Sequence, residues 1–88
     1  MDKVTTQKFL DAFLLYTGFR TDEVKDIRVE EDPMYKGTYA ARAEMLPGGG
    51  AFDFLVTGCN PDTMTADKMA DLIEEYEFDV FPPHVRGW

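Results

Sequence analysis

The stretch Thr38-Tyr39-Ala40-Ala41-Arg42-Ala43-Glu44-Met45-Leu46-Pro47-Gly48-Gly49-Gly50-Ala51-Phe52-Asp53-Phe54-Leu55-Val56-Thr57 decides the fold. Both of its arms alternate in character, and a period of two is that of a β-strand with one buried face. From Thr38 to Leu46, one side carries Tyr39, Ala41, Ala43 and Met45, and the other carries Thr38, Ala40, Arg42 and Glu44. From Ala51 to Thr57, Phe52, Phe54 and Val56 share a side. Pro47-Gly48-Gly49-Gly50 interrupts both patterns and reads as a hairpin loop. It lacks the Lys-Ser/Thr ending and the following helix that a phosphate cradle needs. A four-residue loop here sets Met45 opposite Phe52, Ala43 opposite Phe54 and Ala41 opposite Val56. Small alanines facing large aromatics leave room for a helix on that side.

Upstream, Val24–Glu31 supplies a further strand, with Ile27 and Val29 inward and Asp26, Arg28 and Glu30 outward. The loop from Asp32 to Gly37 follows because Pro33 ends the strand and Gly37 reopens the turn. Before the strand, Arg20-Thr21-Asp22-Glu23 is a turn. The segment from Thr5 to Thr17 is a helix, since Phe9, Leu10, Phe13, Leu14 and Thr17 recur on one face. Thr5 or Thr6 is expected to cap its start and Gly18 to stop it, with Lys3, Lys8 and Asp11 on the wet side. Downstream, Gly58–Asp62 is a loop. A second helix runs from Thr65 to Phe78 with the stripe Met69, Leu72, Ile73 and Tyr76. Pro82 ends any helix, which leaves residues 79–88 as a tail rich in proline and aromatics. The expected class is α+β, in the order α-β-β-β-α. A three-stranded antiparallel sheet carries both helices packed on one face, in one domain spanning residues 1–88.

Composition bounds the chemistry. Eighty-eight residues make one domain, and seven Phe, four Tyr, five Met and one Trp within a 44% hydrophobic chain are enough for a core. The single cysteine, Cys59, cannot close an internal disulfide, so a reducing, cytoplasmic setting is expected. No long apolar run reads as a signal peptide or a membrane span.

The net charge of −8 is unevenly placed. Residues 1–42 hold 8 acids and 7 bases, whereas residues 43–88 hold 9 acids and only Lys68 and Arg86 as bases. Such a field repels nucleic acid and anionic membranes and attracts basic protein surfaces. The order α-β-β-β-α resembles that of double-stranded RNA-binding domains, which grip phosphates with a lysine cluster opening the second helix. Here that place reads Thr65-Ala66-Asp67-Lys68-Met69-Ala70-Asp71, with one lysine between two aspartates. The decisive motif is missing and its charge is reversed, so direct nucleic-acid binding is not expected.

Catalysis has little raw material. There is no serine, and Cys59 and His84 stand alone without a motif to orient them. No alternating-acid loop for a hard cation is present. Neither catalytic residues, nor a metal site, nor a cofactor is expected. The candidate partner-binding residues are Asp67, Asp71, Glu74 and Glu75 on the second helix, Glu77 and Asp79 just beyond it, and Phe81 and Trp88 in the tail. Acids in the first turn complement the helix dipole, but Glu74, Glu75 and Glu77 near its C-terminal end oppose it, and Asp67/Asp71 and Asp71/Glu75 repel one turn apart. A helix tuned for stability would mix in lysines. The functional expectation is a noncatalytic inhibitor whose acidic surface occupies the basic, nucleic-acid-binding groove of a larger protein. A phage anti-CRISPR or anti-restriction factor is the type, and its setting would be the host cytoplasm. The alternative is a small adaptor that binds through its aromatic tail and sheet edge.

Overall fold

In the computed structural model, which describes residues 1–46, 48 and 50–76, the first helix, α1 (Lys3–Thr17), opens on Asp2. The Asp2 carboxylate accepts the Thr5 N–H at 2.7 Å. This bond satisfies one of the four donors left free at a helix start and holds the carboxyl below its ordinary range. Asp2 is therefore the cap, in place of the expected Thr5 or Thr6. Thr5 is instead buried on the inner face. At the other end Gly18 adopts φ +79° and donates to Leu14 O at 2.8 Å, the left-handed stop that glycine accepts without strain.

A short 3-10 turn at Thr21–Glu23 leads into three antiparallel strands, β1 (Val24–Glu31), β2 (Tyr39–Met45) and β3 (Ala51–Val56). The second helix, α2 (Ala66–Tyr76), follows, so the order is α-β-β-β-α. The sheet order is β1-β2-β3. Both helices cover the same face. The core joins Phe9, Ala12 and Phe13 of α1 and Met69 and Ile73 of α2 to Val29, Tyr39, Ala41, Ala43, Met45, Phe54 and Val56. Phe13 is the hub, with its ring stacked on Phe54 at 5.4 Å and tilted against Phe19 and Phe52 at 6.0 and 6.1 Å. The expected faces are correct for every strand.

The register of the central hairpin is not the expected one. Ala43 opposes Phe52, Ala41 opposes Phe54 and Tyr39 opposes Val56, a slip of two residues. Met45 N–H donates to Gly50 O at 2.9 Å, so Leu46 belongs to the turn and Gly50 to the ladder. Leu46 instead donates to Glu23 O at 2.8 Å. Charge accounts for the choice. The expected register sets Glu44 opposite Asp53, whereas the observed one sets Arg42 there. Because the slip is even, no side chain changes face.

Among the described residues, no helix is long and apolar enough to cross a membrane.

Candidate functional site

The acidic helix is held from its N-terminal side. Asn60 organises the loop before it: its side chain accepts the Asp62 N–H at 3.1 Å, and its carbonyl accepts from Thr63 and Met64. Thr65 Oγ1 then accepts the Lys68 N–H at 3.2 Å and caps α2. Lys8 of α1 locks this loop in place by donating to the carbonyls of Pro61 and, at 3.0 Å, Met64. The sequence had placed Lys8 on the wet side. It is half-buried, and its ammonium bridges the two loop carbonyls.

Met69 and Ile73 pin α2 to the core with about 1% exposure or less, and Leu72 packs at its margin. Asp67, Asp71, Glu74 and Glu75 are all exposed. At 100° per residue these four fall within an arc of about 100°, centred opposite the Met69–Ile73 side. Their Cα positions span about 12 Å of axis in steps of roughly 6, 4.5 and 1.5 Å, a mean of about 4 Å, the same order as the ~3.4 Å spacing along one nucleic-acid strand. Lys68 is the one base on the helix. The structure thus brings four expected site residues onto one outward stripe. Glu77, Asp79, Phe81, His84 and Trp88 lie outside the described residues, as does the expected helical stretch beyond Tyr76.

Cys59 has a different role. Its side chain is 4% exposed, and its N–H donates to Gly37 O at 3.0 Å. Gly37 sits at φ +84°, where a Cβ would stand 3.4 Å from the Cys59 carbonyl, so the two loops meet through a glycine that few residues could replace. Burial pushes the thiol above its ordinary value of 9.0, with Lys8 pulling weakly the other way. Burial likewise raises the phenol of Tyr39 above 10.0, assisted by Glu31. At neutral pH the thiol is protonated and enclosed, the opposite of an activated nucleophile.

Two measurable consequences follow from these shifts. In the native protein Cys59 should resist an aromatic disulfide reagent and react fully once denatured; rapid labelling of the folded chain would overturn this. Both pKa values are raised by folding, so the stability these groups contribute is complete below pH 9.0 and declines as pH rises through their folded values. Melting temperature should fall on the alkaline side, and the Cys59→Ala variant should show a smaller fall.

Two features escaped the sequence reading. Asp53 is 1% exposed on the sheet face opposite the helices, 3.8 Å from Arg42 Nη1. Only the correct register reveals that pairing. Met34 and Tyr35 project at 80% and 63% exposure from the β1–β2 loop, which Asp32 shapes by accepting both of their N–H groups. A Pro-Met-Tyr run inside a turn was the available signal. Among the described residues no group of three or more His, Cys, Asp or Glu is placed to hold a metal ion.

Compared with protein-family models, with curated proteins and with solved structures, the chain matches none.

Proposed function

We propose that the protein is a noncatalytic inhibitor that presents α2 to the basic, nucleic-acid-binding surface of a larger protein. The observation that carries this reading is the outward stripe of Asp67, Asp71, Glu74 and Glu75, exposed on a helix whose other side is fixed in the core. A row of carboxylates held on a fixed helix offers lysines and arginines a pre-organised substitute for a nucleic-acid backbone. By type, such a chain belongs with phage proteins that disarm a host defence complex, of the anti-CRISPR or anti-restriction kind. Affinity capture from the native cell tests the reading. The captured protein should be a nucleic-acid-binding one, and added DNA or RNA should displace it. A stable partner that nucleic acid never displaces would overturn the proposal.

A further inference from the structure

The backbone pattern of the β1–β2 hairpin fixes which groups of β1 are already used. Asp32 donates to Thr38 O at 2.8 Å, and their positions continue the β1–β2 register. Bonded and non-bonded pairs alternate along an antiparallel ladder. Glu30, Arg28 and Asp26 therefore turn their N–H and C=O groups toward β2, while Ile27 and Val29 turn theirs to the other side. Since β1 is an outer strand of the sheet among the described residues, that side is the sheet margin. Beside it runs an open groove between α1 and β1, lined on its apolar side by Met1, Leu10, Ile27 and Val29.

The charges on this strand are mismatched within the chain. Across the β1–β2 ladder Asp26 stands opposite Glu44, and Arg28 stands opposite Arg42. Like charges directly opposite destabilise a sheet. Among the described residues neither Asp26 nor Arg28 has an ion-pair partner, and both are exposed. The sequence Asp26-Ile27-Arg28 is, however, complementary to itself when antiparallel. With Ile27 at the centre, each Asp26 meets the Arg28 of the other copy, and Ile27 meets Ile27. The parity is also right, because the Ile27 backbone groups face the margin and make a doubly hydrogen-bonded pair. Centring on Arg28 instead would oppose Arg28 to itself and Asp26 to Glu30. Directly opposed residues share a face, so the second Ile27 would lie on the helix side, in the groove beside Leu10 and Met1.

We propose that two copies of this chain pair antiparallel through β1, with the twofold axis at Ile27, to form a continuous six-stranded sheet. The irregularity between Val24 and Asp26 ends the regular ladder there, so the interface is short and the dimer depends on concentration. Sedimentation and light scattering should show a monomer–dimer equilibrium at concentrations up to about 1 mM. Asp26→Arg alone sets arginine against arginine, and Arg28→Asp alone sets aspartate against aspartate. Each should weaken self-association by on the order of tenfold or more, with circular dichroism unchanged. Mixed together, the two variants are complementary and should form a heterodimer where neither dimerises alone. Independently of any variant, amide exchange at Ile27 and Val29 should slow as the concentration of the unaltered protein rises. A protein that stays monomeric throughout overturns the proposal and leaves the edge to a strand of another protein. A dimer indifferent to both reversals overturns it as well, as does a mixture of folded variants that does not pair.

Discussion

Reversing Asp71, Glu74 and Glu75 together to lysine is expected to weaken binding to the basic partner by about a thousandfold or more while the fold survives. Removing one member of a desolvated interfacial charge pair costs about 2–5 kcal/mol, and reversal adds repulsion to that loss. Three such changes on one stripe should therefore exceed ~4 kcal/mol, the equivalent of roughly a thousandfold. The helix itself has little to lose. All three side chains are exposed, and none belongs to the Met69–Ile73 contact with the core. Lysines at 74 and 75 complement the C-terminal end of the helix dipole, and lysine at 71 turns the repulsion with Asp67 into attraction. Binding of the unaltered protein should also weaken as salt rises, since exposed charges are screened within ~8 Å at physiological ionic strength. Removing the residues after Val80 should matter comparatively little in a variant that still folds. An adaptor working through Phe81 or Trp88 would give the reverse pattern, with charge reversal tolerated, weak salt dependence and binding lost with the tail. Affinity measured for both variants at two salt concentrations decides. Full-strength binding by the charge-reversed helix would end the nucleic-acid-mimic reading.

Local periodicity carried most of the fold because burial here is one-sided. Each strand hides one face under two helices, so alternation in Tyr39–Met45 and Ala51–Val56 reports directly which side chains go inside. What periodicity leaves open is anything that shifts by an even number of residues. A slip of two preserves every face, and the hydrophobic pattern is blind to it. The information resided in the charges of Arg42, Glu44 and Asp53, which prefer one of two registers that are equally good for burial. Lys8 was misplaced for a related reason. Helical spacing puts it on an outer face of α1, but a long side chain there reaches carbonyls more than fifty positions away in the sequence. The cap at Asp2 was overlooked because two threonines nearby fit the same rule. The acidic stripe was legible because helical angle alone determines it. The open margin of β1 was not, since which backbone groups point outward depends on the register.

The second large effect is on stability, and Phe13→Ala should produce it. Phe13 has no exposed surface and touches the rings of Phe19, Phe52 and Phe54, one of them at an interplanar angle of 9°. Truncating a buried phenylalanine costs about 3–5 kcal/mol through lost transfer energy and the cavity left behind. A domain of this length commands on the order of 4–13 kcal/mol in total, so the loss consumes a large part of it. Phe13 projects from α1, and the rings around it come from the segment after that helix and from β3. Neighbouring chain cannot close the gap without moving a strand against a helix. Chemical denaturation should show a much lower midpoint, with an unchanged slope if the unfolded ensemble is the same. Leu15→Ala, on the exposed side of α1 at 56% exposure, should fall within about 0.5 kcal/mol of the parent. The consequence for binding distinguishes this variant from the charge-reversed one. Phe13→Ala should bind in proportion to its folded fraction, and recover on cooling to the temperature of greatest stability or on adding a protecting osmolyte. The charge-reversed helix should remain folded and inactive under the same conditions. If Phe13→Ala unfolds no more readily than Leu15→Ala, the ring cluster is not the centre of the core, and the packing of both helices on one face of the sheet would need to be redrawn.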